Sequence, residues 1–329
     1  MTARSSWNQR NARGHRRRLQ QFKARVDPPN QMVHQIDDLF RRQFKAWPLL
    51  AKGMKGLAES TTRPVQIDWF EVFIRHISHR VGSTTAAVDR ESVRKRPCFL
   101  CVENLDPEEE GVVFNPDFTI YCNPFPIVDR HLTIVYREHG AQRIEGQLGN
   151  MLDLAQALVG YFIIYNGPEC GASAPDHMHL QAGSRELFPI ERDTVGIRGH
   201  AITDYSRNVF FFRDSDRSRL MDRMSRAIDL LASVTGKKPE PMINIAAFHD
   251  PMAGWTVYLF PRGKHRPRAF HTGEFTVSPA SIDLCGIFVV PLEKDFRRIS
   301  GEDIAAIFRE VTLPDDQFGE VAANLEPVR

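Results

Sequence analysis

The sequence lacks long apolar segments, is poor in cysteine and carries a net charge of only +2. No stretch approaches the roughly 18 uncharged apolar residues that a membrane span needs, which argues against a transmembrane protein. The N-terminus is rich in arginine and no apolar segment follows it, so we expect no secretory signal and a cytoplasmic protein. Five cysteines in 329 residues are too few, and odd in number, for a disulfide framework.

The small net charge conceals a basic tail. Residues 1–30 contain eight arginines or lysines and one aspartate, so the rest of the chain is mildly acidic. Apart from Trp7 and Phe22, no aromatic residues are interleaved with these cations, and no nucleic-acid-binding motif accompanies them. We therefore expect a disordered, solvated tail and no nucleic-acid partner. A non-enzymatic RNA binder is an alternative that only the tail supports.

Apolar residues make up 42 % of the sequence, enough for a sizeable core, and their spacing predicts an α+β fold. Helical spacing predicts helices over residues 32–50, 144–159 and 215–234. Shorter apolar runs predict strands over residues 65–77, 112–122, 131–136, 161–165, 177–182, 208–213, 242–248 and 285–290, and from residue 255. The order of these elements favours a mostly antiparallel sheet with helices on one face.

The most informative run spans residues 166–181. If its end is a strand, the period of two places His177, His179 and Gln181 on one face and the two intervening apolar side chains in the core. The loop before it contains glycines, whose backbone N–H groups can approach an anion closely, and a neutral imidazole is a competent nucleophile. The run therefore indicates a phosphate site; the alternative is three polar residues on a solvated strand face.

Two of the five cysteines form the segment Cys98-Phe-Leu-Cys101. This spacing suits a metal site or a redox pair. A redox pair of the thioredoxin type lacks its usual strand–helix context here, and two buried thiols without a function are the third possibility.

The run over residues 166–181 resembles the histidine-triad superfamily, in particular its transferase branch, in which glutamine replaces the last histidine of His-x-His-x-His. This branch includes galactose-1-phosphate uridylyltransferase, diadenosine tetraphosphate phosphorylase and GDP-galactose phosphorylase. Gly171-Ala-Ser-Ala-Pro looks most like the diadenosine tetraphosphate phosphorylases, with Asp176 as one residue more than their usual Pro-His junction. Over residues 45–315 the chain is most similar to a bacterial family of phosphorylase-like proteins that shares Cys-Phe-Leu-Cys and Asn-Pro-Phe-Pro-Ile.

The resemblance implies a nucleotidyltransferase or phosphorylase. His179 would attack the α-phosphorus of a nucleoside-diphosphate sugar or dinucleoside polyphosphate and form a covalent nucleotidyl-histidine, which phosphate or a sugar phosphate then accepts. Gln181, Ser173 and Asn166 would donate hydrogen bonds to the phosphoryl oxygens. Because Gln181 cannot deliver a proton, the leaving group should depart as a stable anion. The alternatives are a hydrolase of the same compounds and a catalytically silent nucleotide-binding protein.

Further candidate binding residues come from the resemblance and from basic clusters in the sequence. Gly171 belongs to the phosphate loop, and Asn123 and Phe125 match a segment that lines the base pocket in relatives; a simple β-turn with a packed phenylalanine is the alternative. Arg96 and Lys264 lie in basic clusters that could neutralise substrate phosphates, or that are solvated loops.

The resemblance also implies a structural zinc ion. In the transferases that carry one, its ligands match Cys98, Cys101, His139 and His177, and the first histidine of the motif, His177, would thus serve both the metal and the active site. A closed N/S site of this kind would clamp the N-terminal segment onto the catalytic strand. His131 competes as a ligand but opens its strand too early for the usual position.

The length exceeds twice that of one histidine-triad unit, so we expect two lobes. Residues 1–30 would be the tail, 31–195 the catalytic lobe and 196–329 a degenerate second lobe. The strands that begin at His131 and at Trp255 each run into basic residues and a histidine, which hints at duplication. The expected partners are a nucleotide and a phosphate-type acceptor, and a homodimer is left open.

Overall fold

A computed structural model describes residues 29–185, 188–197, 199–202 and 204–325. The predicted tail, 1–30, lies outside these residues except for its last two. The architecture is α+β with mostly antiparallel sheets and flanking helices, which confirms the predicted fold class. No helix in the described ranges is long and apolar enough to cross a membrane.

Most strands and the helices α1, α5 and α7 fall close to predicted segments, whereas the other helices were not predicted. The strands are β1 (Thr61–Ile67), β2 (Phe70–His76), β3 (Gly111–Val113), β4 (Phe118–Cys122), β5 (Leu132–Tyr136), β6 (Tyr161–Asn166), β7 (His179–Ser184), β8 (Ala201–Ile202), β9 (Val209–Asp214), β10 (Ile243–Asp250), β11 (Gly254–Pro261) and β12 (Ile287–Val290). The helices are α1 (Pro29–Ala46), α2 (Pro48–Ala58), α3 (Val81–Thr84), α4 (Arg90–Arg94), α5 (Leu148–Ala157), α6 (Pro189–Asp193), α7 (Arg217–Thr235), α8 (Arg268–His271), α9 (Ser281–Leu284), α10 (Glu293–Arg298), α11 (Gly301–Val311) and α12 (Asp315–Asn324). Two short 3₁₀ turns cover Ser78–Arg80 and Val102–Asn104.

Four sequence predictions of extent were wrong. The run over 112–122 is the hairpin β3–β4, and the helix predicted over 32–50 ends at Ala46 and is followed by the separate helix α2. The run over 65–77 is not one strand but the hairpin β1–β2, because Asp68 adopts a left-handed conformation (φ 48°) and turns the chain. Strand β7 begins at His179, two residues later than predicted, since His177 is turned toward the segment that carries Cys98.

A nine-stranded antiparallel sheet, in the order β3-β4-β5-β7-β6-β10-β11-β9-β8, forms the centre of the molecule. It contains two strand–helix–strand–strand units, β5-α5-β6-β7 and β9-α7-β10-β11, which pair their strands in the same order and meet at β6 and β10. In this topology β11 corresponds to β7, whereas the sequence pattern had matched it to the strand that is now β5. The hint of duplication was therefore drawn from the wrong pair of strands, although the repeated topology is present.

The helices α1, α5 and α7 pack on one face of this sheet and share one apolar core with it. Helix α7 begins where Asp216 accepts a hydrogen bond from the backbone N–H of Arg219, and it ends at Gly236, whose left-handed backbone (φ 64°) favours glycine. Met178 and Leu180 point into this core, as the alternation predicted. The polar residues between them therefore face the opposite side.

The opposite face is covered by a second layer, made of the three-stranded sheet β1-β2-β12 and the helices α9 and α11. Strand β12 runs parallel to β2, so this layer joins segments from both ends of the described chain. Its apolar residues form a second core with the facing side of β6, β9, β10 and β11. The polar side chains of β7 lie on the side of the large sheet that this layer covers.

Candidate active site and metal centre

His179 stands at the beginning of β7, and only 3 % of it is exposed. Its backbone is fixed by the buried Gln142, which accepts from the N–H of His179 (2.8 Å) and donates to the carbonyl oxygens of His179 (3.0 Å) and Asn166 (2.9 Å). Gln142 thus ties the two ends of the loop between β6 and β7 together. The sequence reasoning missed this residue.

The imidazole of His179 is held in one tautomer. Its Nδ1 lies 2.8 Å from the carbonyl oxygen of His177, and because a carbonyl only accepts, Nδ1 carries the proton. Nε2 is then unprotonated and accepts no hydrogen bond from any described residue. Burial lowers the pKa of His179 to about 4, so the ring is neutral at physiological pH. A neutral imidazole with a free lone pair on Nε2 can act as a nucleophile.

The side-chain amide of Gln181 is oriented by His131. Ile127 donates its backbone N–H to Nδ1 of His131 (3.2 Å), which places the ring proton on Nε2, 2.9 Å from Oε1 of Gln181. Burial lowers the pKa of His131 to about 3, so the ring stays neutral and keeps one donor and one acceptor. With its oxygen occupied in this way, Gln181 presents its NH₂ group to the pocket.

Asn166, at the end of β6, is oriented in the same sense. Its Oδ1 accepts from Nδ2 of Asn244 (2.7 Å), from the backbone N–H of Ser281 (3.0 Å) and from the hydroxyl of Ser281 (2.7 Å). Arg262 in turn donates to Oδ1 of Asn244 (2.5 Å). Three donors on one oxygen leave only the NH₂ group of Asn166 for a ligand.

One pocket brings together five of the predicted site residues, and we call it the site pocket. They are Asn123, Asn166, Gly171, Ser173 and Gln181. Gly171 has φ +98°, and a Cβ there would lie 2.7 Å from Cβ of Ala280, so the loop needs glycine at this position. The pocket also has Arg80 and Asp283 in its lining, neither of which the sequence analysis named.

His179 and His177 are not among the residues that line this pocket, and neither are three of the predicted binding residues. Arg96 is paired with Asp176 (3.0 Å), next to the loop before β7, and Lys264 is paired with Glu310 (3.0 Å) in a separate cavity. Phe125 is 40 % exposed.

The four predicted metal ligands are brought together. The donor atoms of Cys98, Cys101, His139 and His177 all lie within 4.8 Å of one another. Nδ1 of His177 is 3.3 Å from Sγ of Cys98 and 3.6 Å from Sγ of Cys101, and Nδ1 of His139 is 3.3 Å from Sγ of Cys101.

The donor set fits a metal ion that prefers nitrogen and sulfur. His177 donates its Nε2 proton to the carbonyl oxygen of Tyr136 (2.7 Å), which turns the lone pair of Nδ1 toward the cysteines, as in histidines that ligate metals. Burial, and then the neighbouring Cys98, raise the pKa of Cys101 to about 12. Two thiolates this close together need a cation to be stable, which is what a metal supplies.

The missed residues had little sequence signal. His131 was considered only as a metal ligand, and it instead orients Gln181. Arg80 ends a polar turn that contains His79, and Asn244 is a single polar residue in the apolar part of its strand. A polar side chain at a buried strand position is the one signal that could have indicated Asn244.

Two family models match the sequence. Residues 39–184 match the family described as domain of unknown function DUF4922, and residues 181–326 match the GDPGP1-like, C-terminal domain. No curated protein matches the sequence.

Solved structures of yeast Ap4A phosphorylase share the fold. The complex with AMP is 16 % identical and aligns over 88 % of this chain and 98 % of its own, with a TM-score of 0.60. The complex with Ap4A is 16 % identical, with coverages of 86 % and 97 % and a TM-score of 0.58. At 16 % identity these structures show that the fold is shared, and the two domain models together span residues 39–326 of the chain.

Proposed function

We propose that this protein is a nucleotide phosphorylase that works through a covalent nucleotidyl-histidine at His179. One observation carries the proposal: the free Nε2 lone pair of His179 lies on the same strand face as Gln181, whose NH₂ group faces the site pocket. The NH₂ group of Asn166 is available in the same pocket. A nucleophile next to two oriented donors suits attack on phosphorus, because negative charge grows on the phosphoryl oxygens in the transition state.

The first half-reaction transfers the nucleotide to the protein. Nε2 of His179 attacks the α-phosphorus, the bond from phosphorus to the leaving oxygen breaks, and the electron pair departs with that oxygen. Nδ1 keeps its proton, and its hydrogen bond to the carbonyl oxygen of His177 stabilises the positive charge on the substituted ring. Gln181 cannot transfer a proton to the leaving group, as a histidine at its position could. A leaving group that is stable as an anion, such as a sugar phosphate or a nucleotide, is therefore favoured.

The second half-reaction regenerates the histidine. An oxygen of inorganic phosphate or of a sugar phosphate attacks the α-phosphorus, and the P–N bond to His179 breaks. The substrate classes are nucleoside-diphosphate sugars and dinucleoside polyphosphates, and the likeness to structures of Ap4A phosphorylase with AMP and Ap4A supports them. Asn123, Gly171 and Ser173, which line the site pocket, complete the binding surface.

Zinc is the metal that we propose for the cluster, held by Cys98, Cys101, His139 and His177. Bound there, it would supply structural cross-linking and no redox chemistry. Because His177 also provides the carbonyl oxygen that fixes His179, a metal on its side chain would hold the catalytic tautomer in place.

The test is a search for the intermediate. Wild-type protein is mixed with a panel of nucleoside-diphosphate sugars and dinucleoside polyphosphates, with and without inorganic phosphate, and its mass is measured. We expect a nucleotidyl adduct that phosphate removes. His179→Ala should form no adduct and turn nothing over, and His179→Gly with added imidazole should recover part of the turnover. Full activity in His179→Ala would overturn the proposal, and turnover that needs no phosphate would indicate a hydrolase.

A further inference from the structure

The site pocket has one cation among its described lining residues. Gln181, Asn166 and Ser173 provide neutral hydrogen-bond donors. Arg80 is the one arginine or lysine among the described residues that line the pocket. A nucleotide with two or more phosphates brings at least two negative charges into a partly buried site. Neutral donors alone compensate such charge poorly, so a cation within the pocket is what this substrate class requires.

The guanidinium of Arg80 has unused hydrogen-bonding capacity. Nη1 donates to the carbonyl oxygen of Phe125 (2.9 Å), while Nε is buried and has no partner among the described residues. Burial lowers the pKa of Arg80 to about 10, which leaves it charged at neutral pH. A buried donor without a partner is uncommon in native proteins and calls for a ligand.

The acid in the same pocket does not neutralise this arginine by direct contact. Asp283 is buried, and its carboxylate oxygens accept from the backbone N–H groups of Val289 (2.8 Å) and Ala280 (2.9 Å). No ion pair joins Asp283 to Arg80 in the described chain. The two cations that the sequence suggested for phosphate, Arg96 and Lys264, are each paired with a carboxylate elsewhere.

We propose that Arg80 binds the phosphate groups of the nucleotide substrate. This inference rests on the proposed function and adds to it a specific phosphate-binding residue and the part of the fold that supplies it. Arg80 ends the 3₁₀ turn that follows β2, so the phosphate-binding cation comes from the three-stranded layer and not from either strand–helix–strand–strand unit. A guanidinium that is fixed by one backbone contact can present its other N–H groups to two phosphoryl oxygens.

The experiment separates phosphate binding from a structural role. Isothermal titration calorimetry measures the affinities of ADP, GDP, UDP and CDP, and of the corresponding nucleosides, for wild type, Arg80→Gln, Arg80→Lys and Arg217→Gln. Arg217 lies on α7, on the opposite face of the large sheet, and pairs with Asp153, so its variant is a matched loss of a partly exposed arginine. Thermal unfolding checks that each variant is folded.

We expect Arg80→Gln to lower the affinity for the preferred diphosphate by roughly 10- to 100-fold, as for the loss of a hydrogen-bonded charge, and to leave nucleoside affinity unchanged. Arg80→Lys should show an intermediate loss, because it keeps the charge and loses the planar donors, and it serves as the test if Arg80→Gln does not fold. Arg217→Gln should bind like wild type.

Two results would overturn the inference alone, namely diphosphate affinity equal to wild type in a folded Arg80 variant, or an equal loss for diphosphate and nucleoside. If wild type binds no nucleotide and forms no adduct at His179, the proposed function falls and the inference falls with it. If wild type forms the adduct and the Arg80 variants bind diphosphate normally, the proposed function stands without the inference.

Discussion

The orientation of Asn166 depends on a residue that does not line the site pocket, and changing that residue tests the reasoning about oriented amides. Asn244 donates Nδ2 to Oδ1 of Asn166 (2.7 Å) and accepts from Arg262. Asn244→Asp keeps the size of the side chain and its contact with Arg262. It replaces the donor that faces Asn166 with an oxygen, so two acceptors oppose each other at hydrogen-bond distance.

The size of the effect follows from the contacts. In Asn244→Asp the amide of Asn166 either turns over, which directs its oxygen toward the substrate phosphate and places its NH₂ against the donors of Ser281, or it shifts out of position. Either way the pocket loses one preorganised donor, for which we expect kcat to fall by roughly 10²–10³-fold. Asn244→Ala, in contrast, leaves Ser281 holding Asn166 in its native orientation, so it should cost about 1–3 kcal/mol of stability but less activity.

The assay compares kcat and KM of wild type, Asn244→Asp and Asn244→Ala on one substrate, with urea unfolding of each variant as the measure of stability. We expect the aspartate variant to be the less active and the alanine variant to be substantially active. A folded Asn244→Asp with wild-type kcat would refute the reasoning that the direction of the Asn166 amide matters. Equal losses in both variants would show that Asn244 supports only the fold.

Three further predictions concern the other contacts of the site. Gln181→Glu keeps the bond from His131 but turns a carboxylate oxygen toward the phosphate, so turnover should fall by at least about 10²-fold in a steady-state assay, and an active variant would contradict the assigned orientation. The pKa of His131 is about 3 in the fold and roughly 6.5 in the unfolded chain, so the unfolded chain binds more protons between these pH values. The free energy of unfolding should therefore decrease as the pH falls below 6.5. His131→Asn should remove a slope of about 1.4 kcal/mol per pH unit from the unfolding free energy, measured with urea between pH 4 and 6. Protein purified without chelator should contain one zinc ion per chain, and Cys98→Ser should lose the zinc and have a lower Tm. Cys122→Ala, which removes a buried thiol outside the cluster, should retain the zinc. A zinc-free wild type as stable as Cys98→Ser would exclude the metal.

The placement of the residues of β7 could be predicted because the signal is local. Alternation alone predicts Met178 and Leu180 in the core and His177, His179 and Gln181 on the other face. The structure has Met178 and Leu180 in the core and Gln181 in the site pocket, whereas His177 precedes the strand and faces Cys98. The grouping of Cys98 with His177 needed the family resemblance, since no local rule joins residues 79 positions apart.

The residues that orient the site could not be predicted, because their partners are distant in the sequence. Ser281 reaches Asn166 across 115 positions and His131 reaches Gln181 across 50. The charge pattern predicted Lys264 as a phosphate-binding residue, and its partner is likewise distant in the sequence. Lys264 is paired with Glu310, 46 positions away, so its charge is not directed to the site pocket. Arg80 could not be predicted as a phosphate-binding residue, because it reaches the site pocket only through the packing of the three-stranded layer over β7.

The junction between β6 and β10 has a consequence for any attempt to isolate the half of the chain that contains β5, α5, β6 and β7. Strand β6 carries Asn166 and is paired along its length with β10, from Phe162 to Asn166. A fragment that ends before β10 would expose this strand as an apolar edge with unpaired N–H and C=O groups. Since the two units meet through equivalent strands, the surface best suited to cover that edge is the same edge of another fragment, and we expect the isolated half to self-associate rather than remain a monomer.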